Sequence, residues 1–181
     1  MAIHQYPLSF VPHAVLLRTC GRIPQQLLPK GWREEWLLQD YDKVALDMFE
    51  YEPEFDWWQN TVSVLELEAE FNTILPRTPE TEYCPTLLHF GSYDSHDASI
   101  SLDESNSMVE SAGFRLDLTK ELNPLVEAIL MLCKKLDLIL LGSYDEVIAP
   151  TSQAVAAAIS RSRSYGFVQS PEGYLARLDR E

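Results

Sequence analysis

The stretch that decides the fold class is Phe114-Arg-Leu-Asp-Leu118, followed by Asn123-Pro-Leu-Val-Glu-Ala-Ile129. In the first part apolar and polar residues alternate, which predicts a strand with one buried face. In the second part Asn123 suits the N-cap of a helix and Pro124 suits its first turn. The apolar stripe expected on this helix is Leu125, Ile129, Leu132 and Leu136.

The neighbouring segments extend the same pattern on both sides. Thr86–Phe90 is a short apolar run that stops at Gly91, and Ala98–Leu102 alternates apolar with polar residues. After the helix, Asp137–Leu141 predicts a buried strand and Val147–Ala149 a short partner for it. These patterns predict an α+β fold, an antiparallel sheet of about five strands with helices packed on one face.

Two further helices are expected toward the end of the sequence. Thr151 or Ser152 caps one that runs to about Arg163, and Ser170-Pro171 opens a last helical turn. Both caps follow the preference for hydroxyl side chains and proline at the start of a helix.

The segment Thr61–Leu75 fits two kinds of element. Its apolar residues alternate with Glu66, Glu68 and Glu70, which is typical of a half-buried strand. Its Leu, Glu and Ala residues, in contrast, favour a helix, and Glu and Ala are uncommon in strands. We therefore expect a helix that ends before Pro76.

The composition indicates a globular chain with a single domain, residues 1–181. Hydrophobic residues make up 46% and charged residues 23%, which is far from the composition of disordered proteins. Residues 1–85 are acidic, rich in tryptophan and irregular or helical, whereas residues 86–181 hold the sheet and its helices. The three cysteines form no CxxC pair, and neither a signal peptide nor a spanning helix is indicated, so a cytoplasmic protein is expected.

Negative charge is concentrated in the part of the sequence that also holds all four tryptophans, residues 32–58. The formal net charge is −14, and between residues 34 and 82 fourteen Asp and Glu stand against Lys43 and Arg77 alone. Such charge repels nucleic acid and anionic lipid and attracts basic protein surfaces. We therefore expect a basic protein partner, and neither nucleic acid nor a membrane.

One segment combines this charge with aromatic residues. Large aromatic side chains beside carboxylates are the usual anchors and steering charges of a protein–protein interface. The carboxylates are expected to pair with Lys or Arg of the partner, and the aromatic rings to be buried against it. The predicted partner-binding residues are Glu50, Glu52, Glu54, Phe55, Asp56, Trp57 and Trp58.

Self-association is a second way to neutralise the acidic segment. A homo-oligomer could place basic residues of one copy against the acidic residues of another. The basic residues available for this early in the sequence are Arg18, Arg22, Lys30 and Arg33.

A different function is suggested by two imidazoles and two carboxylates within nine residues. Such a cluster could ligate a divalent metal if its members met at the tip of a hairpin, which would indicate a metal-dependent hydrolase. The residues of this alternative are His89, Asp94, His96 and Asp97. Each also has a structural explanation, because aspartates commonly end turns and a histidine can sit within a strand.

Other catalytic signatures are absent from the sequence. It contains no GxSxG, GxGxxG or Walker A motif, and the cysteines have no evident His–Asn partnership. Neither a cofactor nor an enzymatic activity is therefore expected. Arg115 and Asp117, on the polar side of one strand, are expected to stabilise the sheet as an ion pair.

The order of elements in residues 86–178 resembles that of the small, acidic α+β immunity proteins of bacterial polymorphic-toxin systems. The resemblance rests on Phe90-Gly91, on Asp97–Leu102, on Phe114–Leu118 leading into a helix, and on Ser162-Arg-Ser-Tyr-Gly-Phe-Val168 with its following Pro171 and Tyr174. It implies a cytoplasmic inhibitor that binds a cognate toxin domain and blocks its active site, without catalytic residues of its own.

Overall fold

The fold is that of a computed structural model, which describes residues 4–31, 47–59, 61–79 and 85–178, with the backbone alone for residues 144 and 175–178. Two of the four tryptophans, Trp32 and Trp36, and the basic residues Arg33 and Lys43 lie outside the described residues. The strands are β1 Gln5–Pro12, β2 Gln26–Pro29, β3 Met48–Tyr51, β4 Leu87–Gly91, β5 Asp97–Leu102, β6 Val109–Asp117, β7 Leu138–Leu141 and β8 Val147–Ile148. The helices are α1 His13–Cys20, α2 Val64–Ile74, α3 Asn123–Leu136, α4 Ser152–Arg161, α5 Arg163–Gln169 and α6 Pro171–Leu178.

Six of these strands form one antiparallel sheet in the order β4-β5-β6-β1-β7-β8. The α+β class is confirmed, and the sheet has one strand more than the five expected. All five predicted strands are present to within a few residues. The added strand, β1, pairs with β6 on one side and with β7 on the other, so it lies at the centre of the sheet.

Strand β1 forms because its alternate residues are apolar. Tyr6, Leu8 and Phe10 are at most 2% exposed and face the hydrophobic core. Pro7 lies between Tyr6 and Leu8, and Pro12 is the last residue of the strand. Proline lacks the N–H that a strand ladder uses and is rarely found in central strands, and for that reason the sequence alone does not predict this strand.

Helix α2 resolves the ambiguity of Thr61–Leu75 and confirms the helix. Its N-cap is Ser63, whose Oγ accepts a hydrogen bond from the N–H of Glu66 at 3.2 Å. Leu67 and Phe71, four residues apart, are its fully buried residues. The Phe71 ring packs against three rings of the sheet, Phe10, Phe90 and Phe114, with centroids 4.8–6.0 Å apart.

The later helices also follow the sequence pattern. Helix α3 has proline in its first turn and begins at Asn123, one residue earlier than expected, so its N-cap is Leu122. Thr151 caps helix α4 by accepting a hydrogen bond from the N–H of Ala154. Helix α4 ends at Arg161, two residues before the expected end, and Ser162 caps the separate short helix α5, which the sequence analysis did not predict.

The first part of the chain adds a small sheet to this framework. Strands β2 and β3 pair in parallel, with Leu27 opposite Phe49. One hydrophobic core contains residues from both parts of the chain, including Leu27, Trp57 and Trp58 together with the inner face of the six-stranded sheet. Among the helices that the structure describes, none has the length and apolar character needed to cross a bilayer.

Candidate functional site

The acidic strip consists of the four carboxylates of Glu50, Glu52, Glu54 and Asp56, which lie on β3 and on the turn that follows it. All four residues are exposed to solvent. Glu50 lies on β3, and Glu52, Glu54 and Asp56 lie on the turns that follow it. The four carboxylates that the sequence analysis assigned to partner binding are therefore all exposed on one short segment.

The aromatic residues between these carboxylates point inward. Trp57 is 9% exposed and Trp58 4%, and both belong to the hydrophobic core. The Trp57 ring meets Tyr51 and Phe55 edge-to-face, with centroids 5.2 and 4.7 Å apart. Only Phe55 and Tyr51 keep partial exposure. The expectation that Trp57 and Trp58 anchor a partner does not match this arrangement, because their neighbours are residues of their own chain.

Hydrogen bonds fix the backbone of the acidic strip. The Asp56 carboxylate accepts a hydrogen bond from the N–H of Trp58 at 2.9 Å, and the N–H of Phe55 donates to the carbonyl of Glu52 at 2.9 Å. Such local turns are typical of aspartate in loops. The strip is consequently held at defined positions before any partner arrives.

Two basic residues from early in the chain neutralise part of the acidic segment. Lys30 forms an ion pair with Glu52, and Arg22 forms one with Asp47, the residue before β3. Glu54 has no ion-pair or hydrogen-bond partner among the residues described, and it is exposed to solvent. Two of the cations considered for self-association are thus already paired within the same chain.

The proposed metal cluster is dispersed into four separate structural roles. Asp97 forms an ion pair with Arg115, and Asp94 is exposed at the β4–β5 turn. His96 Nδ1 accepts a hydrogen bond from the N–H of Asp117 at 3.0 Å, so its proton lies on Nε2, 3.3 Å from the carbonyl of Glu121. Within the described part of the chain, no three His, Cys, Asp or Glu side chains are grouped to hold a metal ion.

His89 is partly buried, whereas Asp97 is the most buried member of that cluster. Its ring stacks on Tyr93 at 4.0 Å. The Thr78 hydroxyl donates to the carbonyl of Gly91, so His89 Nδ1 must donate to Thr78 Oγ1, 3.1 Å away. This leaves the Nε2 lone pair buried and without a hydrogen-bond donor among the described residues. Burial lowers the pKa of the His89 imidazole, which stabilises the neutral ring.

Arg115 and Asp117 do not pair with each other as the sequence suggested. The Arg115 guanidinium turns across to the neighbouring strand and binds Asp97. The Asp117 carboxylate instead accepts hydrogen bonds from the N–H and the hydroxyl of Thr119, at 2.9 and 2.6 Å. Both residues therefore stabilise the sheet, each through a partner other than the one expected.

A groove that the sequence analysis missed lies between the C-terminal half of α3, the loop before β2 and the β8–α4 connection. Its volume is about 850 Å³, and its rim includes the exposed side chains of Ile23 and Met131. His13 and Asp137 form a hydrogen-bonded pair at one end, 3.1 Å apart. Cys133 lines its floor, but burial raises the pKa of this thiol to about 12, so the thiolate that a nucleophile requires is not formed near neutral pH.

Comparison with known proteins adds no relative to this picture. No protein-family model, no curated protein and no solved structure matches the chain. The resemblance to immunity proteins thus stays a prediction, and the arguments for function rest on the acidic strip and its surroundings.

Proposed function

We propose that this protein is a non-enzymatic binding protein that neutralises a basic partner protein through the acidic strip. The observation that carries the proposal is the separation of roles within one short segment. The carboxylates of Glu50, Glu52, Glu54 and Asp56 face solvent, whereas the rings of Trp57 and Trp58 are held in the core. The segment is thus a rigid display of negative charge.

Electrostatics supports a basic partner in particular. The chain carries a net charge of −14, and a field of this sign steers cationic proteins toward an exposed cluster of carboxylates. Like charges held this close together repel one another, and a cationic partner would relieve that repulsion. Lys30 pairs with Glu52 and also attracts Glu50, which relieves part of this repulsion.

The buried tryptophans support binding indirectly. A surface that is already ordered loses less conformational entropy on binding than a flexible loop, which increases affinity. Trp57 and Trp58 supply that order by packing beneath the strip, and the Asp56 carboxylate completes the turn. Partly exposed Tyr51 and Phe55 are the aromatic residues of the segment with surface left to contribute to an interface.

A toxin domain is the partner that we propose, in line with the resemblance of residues 86–178 to immunity proteins. If the toxin is a nuclease, the carboxylates would occupy its substrate groove in place of phosphates and would block it. The alternative, a metal-dependent hydrolase at His89, Asp94, His96 and Asp97, receives less support, because three of the four side chains are already bound to structural partners.

Affinity capture from a native lysate tests the proposal, using the wild-type chain and two double variants. Glu50→Lys with Glu54→Lys reverses charge on the strip. Glu104→Lys with Glu110→Lys makes the same change in net charge at exposed positions elsewhere. We expect the wild type and the second variant to retain a basic protein that high salt releases, and the strip variant to lose it.

The result that contradicts the proposal is equal capture by both double variants. Circular dichroism of each variant must match that of the wild type, so that loss of binding is not confused with loss of the fold. Repeating the capture at low and high salt separates an electrostatic interface from a mainly apolar one.

A further inference from the structure

The two-stranded sheet is attached to the six-stranded sheet at the turn from Gly142 to Val147. The N–H of Val147 donates to the carbonyl of Gln25 at 2.8 Å, and Gln26 pairs with Glu146 as an antiparallel bridge. Within the turn, the N–H of Gly142 donates to the carbonyl of Glu146 at 2.8 Å. The position of β2 therefore depends on this turn. Because β3 pairs with β2, the position of the acidic strip depends on it as well.

Asp145 lies at the centre of the joint in an unusual conformation. Its φ of 55° is in the left-handed region, which aspartate adopts more readily than most residues but still rarely. The described residues offer its carboxylate neither a hydrogen-bond donor nor a cation, and burial raises the pKa of Asp145 to about 6. The carboxyl is therefore mostly neutral below about pH 6 and mostly ionised above it.

The titratable groups around Asp145 come from each element packed on the turn. Tyr6 belongs to β1, and Tyr51 belongs to β3, where burial and then the charge of Asp145 raise the pKa of Tyr51 to about 12. Glu146, on the same turn, is paired with Arg161 of α4. Strand β2 carries no ionisable side chain. Arg161 is thus already paired with Glu146, and burial is what shifts the pKa of Asp145.

We propose that Asp145 is a proton-controlled latch, which holds the β2–β3 sheet firmly on the six-stranded sheet when its carboxyl is neutral and loosens it when the carboxyl ionises. An ionised carboxylate gains hydration when it leaves the joint, and this gain favours opening. The latch would regulate the acidic strip, and this consequence for binding rests on the proposed function. The opening of the joint by ionisation of Asp145 does not depend on that function.

Amide hydrogen exchange measured at about pH 5 and about pH 7.5 tests the latch without any partner. For a carboxyl whose pKa is about 6 when the joint is closed and 3.8 when it is open, the opening equilibrium should rise about tenfold between these two pH values. After correction for intrinsic exchange rates, the amide of Val147, which donates across the joint to Gln25, should lose about tenfold in protection. The amides of β5 and β6 should lose none.

The chain offers a matched pair of variants for the same experiment. Gly91-Ser-Tyr-Asp94 repeats the sequence Gly142-Ser-Tyr-Asp145, but Asp94 is exposed. Asp145→Asn keeps the size of the side chain and removes its titration, so protection at Val147 should become equal at the two pH values. Asp94→Asn should keep the tenfold change of the wild type.

Several results would overturn the latch. They are a tenfold change that persists in Asp145→Asn, an equal loss of protection in β5 and β6, and no pH dependence in the wild type. If Asp145→Asn fails to fold, an NMR titration of the wild-type Asp145 carboxyl decides instead. The latch requires its midpoint near pH 6 together with shifts at the Trp57 and Trp58 indoles, and a midpoint near that of exposed Asp94 rules it out.

Discussion

Asp97 and Arg115 face each other across neighbouring strands and form a two-point ion pair. Arg115 Nε donates to one carboxylate oxygen at 2.8 Å, and Nη2 donates to the other at 2.7 Å. Asp97 is almost fully buried, whereas the Arg115 side chain is 32% exposed. This fork geometry is the strongest form of a carboxylate–guanidinium contact.

Replacing Asp97 by Ala should lower the free energy of unfolding by about 2 kcal/mol, because it leaves Arg115 partly buried and without its carboxylate. The figure is below the usual loss for a fully buried pair, since solvent reaches Arg115. Urea denaturation followed by circular dichroism measures the change. Asp94→Ala, at the exposed turn between β4 and β5, serves as the control and should change stability by less than about 0.5 kcal/mol.

Phe71→Ala should be among the most destabilising substitutions in the chain. Its ring is fully buried and packs against the rings of Phe10, Phe90 and Phe114. Removing it should cost about 3–5 kcal/mol in thermal or chemical unfolding. Leu65→Ala provides a comparison within the same helix, because Leu65 is 78% exposed and should cost almost nothing. Similar losses for the two variants would mean that α2 is oriented differently.

His89 should titrate below the ordinary value of 6.5 in an NMR experiment, because burial lowers the pKa of its imidazole. Protonation then favours the unfolded chain, so the contribution of His89 to stability is complete above pH 6.5 and is lost as the pH falls below it. Tyr93→Ala uncovers the ring and should return the midpoint toward 6.5. An unchanged midpoint in this variant would contradict the stacking argument, and Tyr165→Ala should have no effect.

Cys133 should resist alkylation in the folded protein. Its thiol is buried, and burial raises its pKa to about 12, so little thiolate exists at pH 8. Partly exposed Cys20 should react with iodoacetamide much faster. Peptide mapping by mass spectrometry distinguishes the two sites, and addition of urea should make Cys133 reactive. Modification of Cys133 at the rate of Cys20 without denaturant would show that the groove opens to its floor.

The sequence predicts the second half of the fold well because local signals there agree. Alternation, caps and helical spacing each indicate the same elements between Thr86 and Pro171. The central strand β1 escaped prediction because Pro7 and Pro12 interrupt a pattern that long-range pairing with β6 and β7 nevertheless favours. Such tertiary effects are invisible to a local pattern.

The acidic strip was predictable in part. The exposure of Glu50, Glu52 and Glu54 follows from their charge, but the sequence does not show whether a neighbouring tryptophan faces a partner or its own core. Trp57 and Trp58 face the core. The sequence also does not show that His89 and His96 have separate partners. His89 hydrogen-bonds to Thr78, and His96 hydrogen-bonds to the backbone N–H of Asp117.

The central position of β1 has a consequence for how the chain folds during synthesis. Gln5 pairs with Asp117, and Val11 pairs with Ile139, so each partner of β1 is translated about a hundred residues after it. Until β6 and β7 leave the ribosome, the apolar side of β1 has no sheet to join. We expect slow, late formation of the core, with a newly made segment that chaperones would recognise in the meantime.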